Sequence, residues 1–388
     1  MEYVKLEEIC TIVSGGTPSR SKPNYWNNGN IPWIKIKDMK SKYIDSAEEF
    51  ITEEGLNNSS TKMLKRGTIL YSIFATLGEV GILKIDACTN QAIAGLSLKE
   101  DSNILKEYLY YYLKSKKKDV NNLGRGVAQN NINLSLLRKF KIPVIPLCQQ
   151  KKIIEVLDNV SSTINNYERE LALLDELVKA RFVEMFGDPV TNDMLWNTDV
   201  LKDICTKIGS GSTPRGGKES YIDEGISLIR SMNVHNAYFE YKDLAHITLD
   251  QAEKLNNVVV EHDDLLFNIT GASVARCCVV PSDVLPARVN QHVCILRCRE
   301  KINPIFLQGL LVNENYQGKL LQIAKSGATR EAINKQQLES LEIMIPPLEL
   351  QNQFASFVQE IDKSRSRIQK SLEASQELFD SLMQEYFG

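Results

Sequence analysis

The sequence predicts a mixed α/β protein, with two globular modules separated by two long helices in the order module, helix, module, helix. Three observations predict this: an internal repeat, an apolar seam of coiled-coil spacing, and proline and glycine punctuation around each seam. Residues 126–187 align with 327–388 without a gap at an offset of 201, with 14 identities in 62 positions, several times what average composition gives by chance. The first parts of the halves match at an offset of about 196: Leu6-Glu-Glu-Ile-Cys10 meets Leu201-Lys-Asp-Ile-Cys205, and Ser14-Gly-Gly-Thr-Pro18 meets Ser210-Gly-Ser-Thr-Pro214. The expected organisation is a first module over 1–146, a helix over 147–187, a second module over 188–345 and a second helix over 346–388.

Residues 1–140 read as mixed α/β. Ile31–Ile36 and Thr68–Phe74 are strand-like, and Ile104–Lys116 is helical. Gly, Asn and Ser fill the connections, a layout of many loops on a scaffold that suits recognition. The Ser14–Arg20 loop is small, polar and ends in a cation, so its backbone NH groups, Thr17, Ser19, Arg20 and the nearby Lys22 can grip a phosphate oxygen. Lys35 and Lys37 alternate with Ile34 and Ile36, which predicts two cations on one strand face. Asn90 and Gln91 carry carboxamides able to pair with an adenine edge, and a structural turn explains them equally well. Arg125 and Gln129 lie in a polar loop ahead of the first seam.

The first seam follows the break Ile142-Pro-Val-Ile-Pro146, which forces an extended approach to the helix. Ile153, Leu157, Val160, Ile164, Tyr167, Leu171, Leu174 and Val178 then alternate steps of four and three. Phe186-Gly187 stops the helix. The second module repeats the pattern of the first. Thr213, Arg215 and Lys218 belong to the twin loop; Arg230, Asn233 and His235 follow a strand; Asn290, Gln291 and His292 form the second carboxamide turn; Thr329 and Arg330 precede the second seam. Val258–Val260, Leu265–Ile269 and His292–Leu296 are strand-like, and Pro304–Leu321 is helical. After Pro346-Pro347 the second seam keeps Phe354, Val358, Ile361, Ile368, Leu372 and Phe379, with Arg365 and Ser375 interrupting it. A helix with one apolar seam is unstable alone. Each copy is the other's cheapest partner, so an antiparallel coiled coil with pseudo-two-fold symmetry is expected.

Composition narrows the function. Of 388 residues, 46 are Lys or Arg and 49 Asp or Glu. No apolar run approaches the ~20 residues of a membrane span, and the N-terminus lacks the marks of a signal peptide. Eight cysteines with no CxxC pair suggest buried thiols in a reducing cytoplasm. The net charge of −3 divides unevenly, with +6 over 1–146 and −4 over 188–345, so any anion-binding surface is local. No P-loop is present, nor a Gly-rich cofactor loop with the Asn/Asp-Pro-Pro-aromatic motif of a base methyltransferase. All four histidines lie in the second half, so no duplicated catalytic His is available, and Cys294 with Cys298 reads as two buried thiols rather than half a metal site.

The Ser-Gly-x-Thr-Pro loops, the Pro-Leu-x-x-Gln helix starts at 146–150 and 347–351, the Phe-Gly ends and the duplicated order resemble the specificity subunit of type I restriction-modification enzymes. The resemblance covers essentially the whole chain. It implies two target-recognition domains, each reading half of a bipartite double-stranded DNA sequence, with the helix pair setting the spacer and docking methyltransferase subunits. It implies a non-catalytic, cytoplasmic subunit that meets two methyltransferase subunits and restriction subunits, with S-adenosylmethionine, ATP and Mg bound by those partners and no cofactor or metal bound by this chain. The alternative is a stand-alone nucleic-acid-binding adaptor without a modification partner, which co-purification with a methyltransferase subunit would distinguish.

Overall fold

The computed structural model describes residues 2–124, 132–214, 216–325 and 331–388, with the side chains of 122–124 and 218 outside the description. The chain forms two units, Met1–Tyr167 with Ser371–Gly388, and Glu168–Lys370. The division falls inside both long helices, Leu147–Phe186 and Leu348–Phe387, each of 40 residues. Each unit thus holds one module, the start of one long helix and the end of the other.

In the first unit a five-stranded sheet runs in the order Cys10–Ser14, Ile93–Leu98, Ile69–Ser72, Val80–Leu83, Tyr43–Ile44, antiparallel except for the last pair. A smaller sheet places Ile31–Ile34 between Glu49–Ile51 and Cys88–Thr89. The helix Lys106–Ser115 buries Tyr108, Leu109, Tyr111 and Leu113. Glu2–Lys5 pairs with Lys141–Val144, the extended segment that the prolines predict, and leads into the first long helix. The core joins Leu6, Ile69, Leu96 and Leu109 to Leu157 from the start of the first long helix and to Phe379, Met383 and Phe387 from the end of the second. Helix start and helix end meet on one core, as the antiparallel reading requires.

The second unit repeats these parts. Its main sheet runs Cys205–Ser210, Val293–Cys298, Leu265–Asn268, Cys277–Val279, all antiparallel. Ile226–Ile229 lies between Ala245–Ile247 and Ala287–Val289 in a second sheet. Thr198–Val200 pairs with Glu342–Met344 ahead of the second long helix. Phe306 and Leu310 of the helix Pro304–Val312 pack with Phe182 and Phe186 from the end of the first long helix and Phe354 and Val358 from the start of the second.

The seam residues face inward. Leu157, Phe354, Val358, Leu372 and Phe379 are buried, and Ile153, Val160, Ile164, Leu171, Leu174, Val178, Ile361 and Ile368 are half-buried. At the interruption, Arg365 forms ion pairs with Asp175 of the facing helix (2.5 Å) and Asp362 of its own (2.9 Å).

Three sequence readings shift. The strand read over Ile31–Ile36 ends at Ile34, because Lys35–Asp38 close a 3-10 turn in which Lys35 N donates to Asp38 Oδ2 (2.7 Å). Lys35 and Lys37 therefore do not alternate on a strand face. The run Thr68–Phe74 is a strand only over Ile69–Ser72, since Ser72 Oγ donates to Thr76 O (2.5 Å) and accepts from Glu79 N (2.7 Å), which folds the chain back. The helix read over Pro304–Leu321 breaks at Asn313, whose side chain accepts from Asn315 N (3.0 Å) and starts a second helix, Glu314–Lys325.

Candidate nucleic-acid interface

In each main sheet three loops emerge at one end. In the first unit these follow Ser14, follow Ser72 and precede Ile93, and the register Ser14↔Ala94, Ser72↔Ile93 and Tyr71↔Val80 puts them side by side. In the second, the loops after Ser210, after Asn268 and before Val293 are placed alike by Ser210↔Cys294 and Asn268↔Val293. The duplicated sequence motifs thus converge on equivalent sheet ends, one per unit.

Backbone contacts fix the loops. Gly15 N donates to Ile93 O (3.1 Å) and Gly16 N to Thr89 O (2.9 Å). A Cβ at Gly15 would lie 2.1 Å from Asn90 O, and one at Gly211 would lie 1.7 Å from Val289 O, so only glycine allows this close passage. The next threonine then reaches across. Thr17 Oγ1 donates to Gln91 Oε1, and Thr213 Oγ1 donates to Gln291 Oε1. The same pair recurs in both units, with both glutamines exposed. With the carbonyl oxygen held by threonine, the NH2 is the remaining hydrogen-bonding group of each carboxamide, and that of Gln291 also meets His292 Nε2 (3.1 Å).

The asparagines do different work. Asn90 Oδ1 accepts from Ala92 N (3.1 Å) and Asn290 Oδ1 from His292 N (3.0 Å), which closes the turn that presents the glutamine. Asn233 is fully buried, accepting from Arg230 N (3.1 Å) and donating to Glu240 O (2.9 Å), so it shapes a turn and does not reach the surface. His292 bonds Thr270 Oγ1 through Nδ1 (2.6 Å) and Gln291 through Nε2 (3.1 Å), which ties two loops of the second unit together.

The first unit's cations gather around two carboxylates. Arg20 and Lys35 pair with Glu49, and Lys37 and Lys35 with Glu48. The Arg20 guanidinium also stacks 3.6 Å from the Trp26 ring centroid. Although burial works against it, the hydrogen bonds from Lys35 and Arg20 hold Glu49 below the usual carboxylate range. The bond from Lys37 does the same for the exposed Glu48. Lys22 donates to Tyr25 Oη (3.0 Å), while Ser19 bonds Ser21 (2.9 Å) at the exposed turn. In the second unit Arg230 donates to Asp243 O and lies over Tyr221, and His235 stacks on Tyr238 with ring centroids 4.6 Å apart.

Arg125, Gln129, Arg215, Thr329 and Arg330, and the Lys218 side chain, lie outside the described residues. Sequence reasoning missed Phe74, 48% exposed at the loop after Ser72, the exposed Tyr238, and the half-buried Arg276, whose guanidinium approaches His235 Nδ1 at 3.4 Å. Phe74 looked like the end of a strand, and only the turn at Ser72 brings it outward.

The family described as type I restriction modification DNA specificity domain matches residues 1–175 and 194–376. The chain belongs to this family. The specificity subunit of EcoR124I/EcoR124II from Escherichia coli is 34% identical over 188 residues, 47% of this chain and 46% of that protein. The MjaIX specificity subunit of Methanocaldococcus jannaschii is 26% identical over 403 residues, covering 98% of this chain and 90% of its own. The crystal structure of a type I restriction-modification S subunit from M. genitalium matches the whole fold with a TM-score of 0.60 at 15% identity, covering 100% of this chain and 96% of that one. A chain from a study of complex assembly and conformational transition in a type I system matches at 0.58 and 17%, covering 100% and 97%. These structures share the fold of this specificity chain, two-module architecture and long helices included. The family model over both halves of the chain, not the fold likeness, gives DNA target recognition as its function. Among the described residues, no helix is long and apolar enough to cross a membrane and no group of three or more His, Cys, Asp or Glu is placed to hold a metal ion.

Proposed function

We propose that this chain is the non-catalytic reading subunit of a type I restriction-modification assembly, and that each module reads one half of a bipartite DNA target. The duplicated Thr17–Gln91 and Thr213–Gln291 pairs, at equivalent sheet ends, carry the reading. Gln91 and Gln291 contact base edges, where a fixed donor distinguishes bases in the major groove. Arg20, Lys22, Lys35, Lys37, Arg230 and His235 contact phosphates or the flanking edges, and Asn90, Asn290 and Asn233 position the loops.

The long helices, ~60 Å each at ~1.5 Å per residue, set the unread spacer. Their outer faces dock two copies of a methyltransferase subunit, which bring S-adenosylmethionine; restriction subunits bring ATP and Mg. The working compartment is the cytoplasm. Methylation mapping of DNA from cells expressing the chain with its methyltransferase partner tests this reading. The expected result is an asymmetric motif of two short half-sites around a fixed gap, and a continuous motif, or none, overturns it.

A further inference from the structure

The two long helices are copies of one another, yet each helix end docks on a different module. We propose that these ends carry an address: charge and side-chain volume are inverted between the copies, so that each fits its own module and not the other. The inference goes beyond DNA reading and concerns how the chain pairs its own parts.

Charge is the first half of the address. The same helix position is Lys179 in the first copy and Asp380 in the second. Lys179 Nζ pairs with Glu314 of the second module at 2.9 Å, and Asp380 Oδ2 pairs with Lys118 of the first at 3.3 Å. The surroundings deepen the contrast. In the first unit Asp380 lies on a cavity of about 400 Å³ whose other charged lining residues are Lys114, Lys116, Lys117 and Lys118 and a second acid, Asp119, 3.9 Å from Lys116 Nζ. Lys117 is paired with Glu79 (2.7 Å), and Lys116 Nζ caps the end of the second helix by donating to Phe387 O (2.8 Å). Half-buried Lys114 lies 5.2 Å from the Phe379 ring centroid, and burial foremost, then the Lys117 charge, lowers its pKa. A cation in place of Asp380 would join this cluster. In the second unit the equivalent carbonyl, Phe186 O, accepts instead from Trp196 Nε1 (3.0 Å), and Asp175 and Glu176 add to the negative surroundings of Lys179.

Volume is the second half. Leu105 N and Asn303 N donate to the equivalent Gln150 and Gln351 (2.8 Å each), which puts the helices Lys106–Ser115 and Pro304–Val312 in register. In that register Tyr111 occupies the place of Gly309. Across from Gly309 stand Phe182 and Phe354, whose ring atoms would lie 2.9 and 3.0 Å from an added Cβ. Across from Tyr111 the equivalent helix positions hold Met383 and Ile153. Both modules place a ring one turn earlier, Tyr108 and Phe306; the difference lies at Tyr111 and Gly309, where the helices set Phe182 and Phe354 against the glycine and Met383 and Ile153 on the side of the tyrosine. Position 178/379 runs the other way, with Phe379 set against Tyr111 at 6.3 Å between centroids. Overpacked and underfilled cores both destabilise.

Three full-length variants test the address by thermal melting. The first exchanges residues 178–186 with 379–387, leaving the composition unchanged. The second, Lys179→Asp with Asp380→Lys, inverts only the charges. The third adds Lys118→Glu and Glu314→Lys to the second. The charge-only double variant should melt about 2–4 °C below the parent, with a gap that narrows at ~1 M salt. The quadruple variant should recover at least half of that loss, and the segment exchange should lose more than the double. Because the exchange carries the charge inversion with it, a segment exchange that melts no lower than the double variant overturns the volume address, and an exchanged chain that fails to fold where the double variant folds supports it. A double variant that melts with the parent, or a quadruple no better than the double, overturns the charge address.

Discussion

Glu48 and Glu49 decide how much of the first module's positive charge is available. Arg20, at the end of the Ser14–Arg20 loop, and Lys35 and Lys37 are all engaged with these carboxylates. Neutralising a cation internally withholds it from phosphate, and each phosphate contact adds about 0.9 to the slope of log affinity against log salt. Glu48→Gln with Glu49→Gln therefore should raise the affinity of the chain for duplexes of any sequence and steepen that slope by about 2–3. Binding isotherms over a salt series measure it; an unchanged slope would mean that these cations do not face DNA. None of this was legible in the sequence, where Glu49 stands 29 residues from Arg20 and only the pairing of Ile31–Ile34 with Glu49–Ile51 brings them together.

At the scale of elements, the start of each long helix depends on one buried glutamine. Gln150 Oε1 accepts from Leu105 N (2.8 Å), and its Nε2 donates to Asn103 O (2.8 Å) and Ile145 O (2.9 Å). Gln351 repeats the arrangement with Asn303 N, Lys301 O and Pro346 O. Both are fully buried. Removing one strands three backbone groups, at about 1–3 kcal/mol for each that stays unsatisfied. Gln150→Ala should therefore destabilise the first unit, and Gln351→Ala the second, by more than loss of an exposed ion pair does. Gln150→Glu should cost at least as much as Gln150→Ala, since a buried carboxylate accepts from Leu105 N but turns its other oxygen toward the carbonyls of Asn103 and Ile145; urea denaturation orders the three. The glutamines were visible in the sequence as part of a repeated motif, with no reason attached. The helices themselves were legible because a seam with steps of three and four persists over eight positions. The short strands of the smaller sheets were not, because two- and three-residue strands are set by partners distant in the chain.

On the scale of the whole molecule, what the two copies keep in common is as informative as what they invert. Buried identities such as Phe186/Phe387 and Gln150/Gln351 follow from the cores. Leu147/Leu348, Glu176/Glu377, Leu177/Leu378 and Glu184/Glu385 are also identical, and all eight are exposed. Leu177 is 46% and Leu378 50% exposed, and nothing within either unit requires leucine at a solvated position. Two identical patches on a chain with an internal repeat are what two copies of one partner would need. Leu177→Arg should leave melting unchanged within about 0.5 kcal/mol, as surface substitutions do, while reducing co-purified methyltransferase from two copies to one. Adding Leu378→Arg should remove the second copy and abolish methylation of both strands. Mass measurement of the purified assembly reads the stoichiometry directly, and a double variant that still carries two methyltransferase copies would place the docking surface elsewhere on the helices.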